Sequence, residues 1–141
     1  MWNYQIEENI LYEDKEILVC RKTAGMPVQA AKIGTMDMES ALKNYLAQKT
    51  TGKDPYLGVV HRLDQPVEGI LVFAKTSEAA GNLSKQIMAG GAGKYYLAVT
   101  EGKAKSSEGT LTDYLKKKWK SQHVSGGVCQ YTGSKKSDPS L

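Results

Sequence analysis

The chain has 141 residues, of which 40% are hydrophobic and 24% charged, with 19 Lys and Arg against 15 Asp and Glu. That length permits one domain with a modest core, and the ordinary apolar fraction excludes low-complexity and collagen-like chains. A net charge of +4 favours an anionic partner, while the lack of any apolar run of roughly 20 residues excludes a membrane-spanning helix.

The N-terminus, Met1-Trp2-Asn3-Tyr4-Gln5-Ile6-Glu7-Glu8, is acidic where a secretory signal would be basic and then apolar, so a cytoplasmic protein is expected. Leu11 to Val19 reads as a β-ribbon, its apolar halves separated by Glu13-Asp14-Lys15-Glu16, and Ile17-Leu18-Val19-Cys20 forms the second arm. Thr23 to Pro27 is a turn shaped by Gly25 and Pro27. After a loop from Gln29 to Asp37, Glu39 to Gln48 reads as a helix. Asp37 or Ser40 is its N-cap, and Leu42, Tyr45 and Leu46 form its apolar face.

Thr50 to Pro55 is a linker, and two short apolar runs follow, Tyr56-Leu57-Gly58-Val59-Val60 and Ile70-Leu71-Val72-Phe73-Ala74. Both read as buried strands. Thr76 or Ser77 caps a second helix that runs to Met88 with Ala79, Ala80, Leu83, Ile87 and Met88 on one face, and Gly90 to Gly93 ends it. Lys94 to Thr100 alternates as a strand, so one of Tyr95 and Tyr96 should be buried. Gly109-Thr110-Leu111 starts another extended piece. From Lys116 the chain turns to lysines, Ser and Gly without an apolar period, as a disordered or aberrant basic tail would. The expected fold is α+β, a mixed and mainly antiparallel sheet with two helices. The expected division is a domain over residues 1–115 and a tail over 116–141.

Between the two apolar runs lies a polar loop, His61-Arg62-Leu63-Asp64-Gln65-Pro66-Val67-Glu68-Gly69, turned by Pro66 and Gly69. Core strands that flank a polar loop give it a rigid base from which to present chemistry. Arg62 is one of only two arginines, with Arg21, and it stands two positions from Asp64. Its planar fork suits phosphate or carboxylate. On the residues alone, each group also has a plainer role: Asp64 capping a turn or pairing with Arg62, His61 packing through a hydrogen bond, Tyr96 filling a strand face. Cys20 and Cys129 lie far apart; Cys20 reads as a small core residue, and no Cys or His pair has zinc-ligand spacing, so neither a disulfide nor a metal is expected.

The stretch from His61 through Ala74-Lys75 closely resembles the signature of the RluA family of RNA pseudouridine synthases, which runs His-Arg-Leu-Asp, two variable residues, a Thr-Ser-type pair, Gly, and an apolar strand ending in Ala-Lys. The resemblance extends over roughly residues 10–115, through Ile10-Leu11-Tyr12-Glu13-Asp14, Lys22-Thr23-Ala24-Gly25-Met26-Pro27-Val28 and Gly93-Lys94-Tyr95-Tyr96-Leu97-Ala98-Val99. It implies an RNA-modifying isomerase that converts uridine to pseudouridine in ribosomal or transfer RNA, acts as a monomer and uses no cofactor. It makes Asp64 the catalytic carboxylate, with Arg62, Tyr96 and His61 binding substrate or RNA: Arg62 filling the space left by a flipped uridine or pairing with phosphate, Tyr96 stacking on the base. Arg62 and Lys75 are the cations expected to keep Asp64 ionised. Val67 and Glu68 depart from the signature, removing two hydroxyls that would brace the loop and adding a carboxylate. The family's further half-sheet has no counterpart after Lys116, so a truncated or frameshifted chain is expected, and with it an alternative function as an inactive RNA-binding remnant.

Overall fold

The computed structural model describes residues 5–31, 34–50, 54–102, 106, 108–117 and 124–131. The chain forms two compact units, Met1–Gly93 and Lys94–Leu141.

The first unit is built on a four-stranded antiparallel sheet of order β1-β2-β4-β3, with β1 Ile10–Glu13, β2 Ile17–Lys22, β3 Gly58–Val59 and β4 Gly69–Ala74. A 3-10 turn, Ile6–Asn9, leads into β1. The ribbon turn between β1 and β2 is held by Asp14, whose carboxylate accepts from the backbone of Glu16 and Ile17, both at 2.7 Å. Alternation sorts the strands into two faces. Leu18, Cys20 and Lys22 of β2 lie opposite Phe73, Leu71 and Gly69 of β4 on the core face. Helix α1, Met38–Lys49, covers that face with Met38, Ala41, Leu42 and Leu46. Cys20 is the expected core cysteine, buried and free. Burial pushes its thiol up to about 11 against the opposing pull of Arg21. Cys129 lies outside the residues whose side chains are described.

Asp37 starts α1 as expected of an N-cap, accepting from Ser40 N at 2.8 Å, and its second oxygen accepts from Ala30 N at 2.7 Å. Pro27 and Val28 carbonyls take the next free donors, Met38 N and Glu39 N. Helix α2, Ser77–Met88, is capped by Thr76 through Ala79 N at 3.1 Å. It rests on β3 and β4. A Cβ on Gly58 would sit 3.0 Å from that of Ala80, so the close approach of strand and helix demands glycine there. Ala79 is buried and Leu83 and Ile87 are half-buried. Met88, expected on the same face, is 87% exposed because the helix has only two strands beneath it. Ile70 is likewise 63% exposed, so β4 is covered fully on one face rather than both. Among the described residues no helix is long and apolar enough to cross a membrane.

The second unit holds an antiparallel pair, β5 Leu111–Lys117 and β6 Val124–Tyr131, with Leu111 opposite Tyr131 and Lys117 opposite Val124. The boundary expected after residue 115 thus falls inside β5, and residues 118–123 and 132–141 of the expected tail lie outside the described ones. The strand expected over Lys94–Thr100 does not form: these residues belong to neither sheet. Alternation makes a strand only where a neighbour completes its ladder. Tyr95 and Tyr96 are 94% and 46% exposed, so neither is the buried member of a strand pair.

Candidate functional site

The polar loop joins β3 to β4 and runs from Val60 to Glu68. His61 and Leu63 are half-buried and Arg62 and Asp64 exposed, so the backbone turns alternate side chains inward and outward. Leu63 packs against the core cluster. Its Cδ1 would lie only 2.8 Å from a Cβ on Gly69, so a larger residue there would have to push the Leu63 methyl aside. His61 extends the sheet: after the β3–β4 pairs its Nε2 accepts from Val72 N at 3.1 Å, taking the rung that a third β3 residue would have filled. An acceptor Nε2 in a neutral imidazole leaves the proton on Nδ1.

Beneath the loop lies Lys22, fully buried at the end of β2. Its ammonium donates to the carbonyls of Thr23 at 3.3 Å, Gln65 at 2.8 Å and Val67 at 2.5 Å. Burial pushes its pKa below the usual lysine value, and the opposing attraction of Asp64 and Glu68 limits the fall. The loop therefore carries its carboxylates over a fixed positive charge. A second set of bonds ties it to the Thr23–Pro27 turn. Gly25 N donates to Gln65 O at 2.8 Å, and Gln65 Nε2 donates to Gly25 O at 2.9 Å. Val67 N closes a turn onto Asp64 O at 3.0 Å. Backbone bonds to Val67 stand where the hydroxyls of a Thr-Ser pair were expected to brace the loop.

The structure thus brings Asp64, Arg62 and His61 onto one loop and puts Arg62 and Asp64 on its solvent side. No ion pair joins those two among the described residues. Tyr96 lies in the second unit. Lys75 does not serve the loop. It is bound to Glu13 at 2.7 Å and to Asp14 O at 2.5 Å, at the far end of a six-residue strand that spans about 20 Å. Beside Arg62 on the loop, a further cation that interacts with Asp64 is the buried Lys22, which sequence reading missed. Its signal was parity: counting inward positions from Leu18 through Cys20 lands on Lys22. Among the described residues no group of three or more His, Cys, Asp or Glu is arranged to hold a metal ion.

Comparison with known proteins follows this geometry. The family described as RNA pseudouridylate synthase matches residues 16–140, reaching past the expected limit at 115. An uncharacterized RNA pseudouridine synthase of Zymomonas mobilis is 31% identical over 106 residues, which cover 75% of this chain and 47% of the relative. Ribosomal large subunit pseudouridine synthase D of Pseudomonas aeruginosa is 39% identical, covering 69% of this chain and 30% of that protein. tRNA pseudouridine synthase C of Haemophilus ducreyi is 34% identical, covering 69% and 38%. The chain therefore spans about half or less of the length of these relatives. Among solved structures, human RNA Pseudouridylate Synthase Domain Containing 4 superposes with a TM-score of 0.55 at 16% identity, over 92% of this chain and 51% of that one, a likeness of fold. With a family match that covers most of its length and relatives above 30% identity, the chain belongs to the RNA pseudouridylate synthase family.

Proposed function

We propose that this chain carries the reacting loop of an RNA pseudouridine synthase that isomerises uridine in ribosomal or transfer RNA, with Asp64 as the reacting carboxylate. The reaction breaks the bond between uracil N1 and ribose C1′, rotates the base and rejoins it through C5, which loses its proton. A single carboxylate at the sugar edge serves either as nucleophile at C1′ or as base at C2′. The observation that carries the proposal is the exposed Asp64 on a loop pinned from below by the buried Lys22 ammonium. A fixed base under a projecting carboxylate favours one approach to the ribose.

Arg62, exposed on the same side of the loop, suits the space vacated by a flipped uridine or a flanking phosphate. Tyr96 is proposed to stack on the base, a role that follows from the family signature. For His61 the bond from Val72 N supports holding the loop more directly than touching RNA. The family match supports an RNA partner, and the cytoplasm is the compartment proposed with it.

Nucleoside chromatography of ribosomal and transfer RNA incubated with the chain tests the proposal. Pseudouridine accumulates with the wild type and not with Asp64→Asn. RNA that binds to the folded chain yet gains no pseudouridine supports the remnant reading instead.

A further inference from the structure

One contact beside Asp64 has no part in the roles above. Asp64 and Val67 close a turn whose middle positions are Gln65 and Pro66. Proline disfavours helical backbone at the residue before it, which biases the direction of the Gln65 carbonyl. That carbonyl accepts from both Lys22 Nζ and Gly25 N, each at 2.8 Å. The Gln65 side chain then returns to the same glycine and donates to its carbonyl at 2.9 Å. One residue thereby engages both main-chain groups of Gly25. Gly25 has a φ of +85° and open space where a Cβ would stand, so backbone conformation rather than crowding selects glycine there. No hydrogen bond from the described residues fixes the Asp64 carboxylate, so the turn backbone sets its direction.

We infer that Gln65 is a positioning residue for Asp64: its side-chain amide, clasped to the Gly25 carbonyl, holds the turn that Asp64 begins. The inference rests on the reading of Asp64 as the reacting carboxylate. It fits the local sequence, since neither Val67 nor Glu68 offers a hydroxyl to do the same work. A reacting group that loses its alignment loses rate more than affinity.

Two substitutions in the full chain test this. Gln65→Met keeps the length and removes the donor; Gln65→Lys restores a donor of similar reach. Turnover is read as kcat and KM on RNA, and the turn is read independently by NMR water exchange at the Val67 amide in the free protein. Loss of one neutral hydrogen bond predicts that Gln65→Met lowers kcat about five- to tenfold and speeds Val67 exchange about fivefold. KM stays as in the wild type, the Tm falls by no more than a few degrees, and Gln65→Lys recovers both kcat and Val67 protection. Unchanged Val67 exchange in Gln65→Met overturns the inference, and so does a kcat loss that Gln65→Lys does not recover. If instead Asp64→Ala turns over normally, or no variant turns over, the Asp64 reading fails; Val67 exchange then still decides whether Gln65 holds the turn.

Discussion

Lys22 occupies an inward position of β2, in step with Leu18 and Cys20, yet its ammonium ends among the carbonyls of the polar loop. Three acceptors and two nearby carboxylates offset the cost of burying the charge. Replacing it with methionine fills the volume but strands the carbonyls of Thr23, Gln65 and Val67. Lys22→Met is therefore expected to lower stability by about 2–4 kcal/mol, measured by urea unfolding; an unchanged midpoint would remove Lys22 as the anchor of the loop. At this scale the placing of Asp64, Arg62 and His61 on one loop was legible because they sit together in the sequence. Lys22 and Gln65 were not, because their partners lie 43 and 40 positions away in the pairs Lys22–Gln65 and Gln65–Gly25.

Among the elements, β4 links two separate tasks. Its start holds the polar loop, and the residue after its end, Lys75, joins a network with Glu13, Lys49 and Tyr45. Burial raises the Glu13 pKa, but hydrogen bonds from Lys75, Lys49 and Tyr45 outweigh it and lower it to about 2. Because the folded pKa lies below the unfolded one, this stabilisation is fully present above the ordinary carboxylate range. It is lost as pH falls from the ordinary glutamate value of 4.5 toward about 2. Glu13→Gln should cost on the order of 3 kcal/mol at neutral pH and much less at pH values near the folded pKa, seen as converging Tm values in thermal melts across that window. Parallel melting curves for wild type and mutant at every pH would contradict it. The ribbon turn, both helices and their caps were legible because each signal is local: Asp37 and Thr76 stand just before periodic apolar runs. The exposure of Ile70 and Met88 was not, since it depends on what covers the sheet.

Across the whole molecule, sequence reading served the first unit better than the second. The alternation of Lys94 to Thr100 is real but finds no ladder, and the lysine, Ser and Gly composition after Lys116 hid the pairing of β5 with β6. Such pairing rests on the register of one strand against the next, Lys117 opposite Val124, rather than on alternation within either. The net charge of +4, carried mostly by lysine, would favour the proposed RNA partner. With about two to four lysine–phosphate contacts, binding should weaken roughly ten- to a hundredfold between about 50 mM and about 200 mM salt through counterion release; a flat titration by filter binding would place affinity outside the basic residues. Whether Asp64 acts on uridine is decided by tritium release from C5-labelled uridine in bulk RNA, comparing wild type with Asp64→Ala. Release from the wild type and none from the mutant is expected. Equal release from both proteins, or none from a folded wild type presented with ribosomal and transfer RNA, would contradict it.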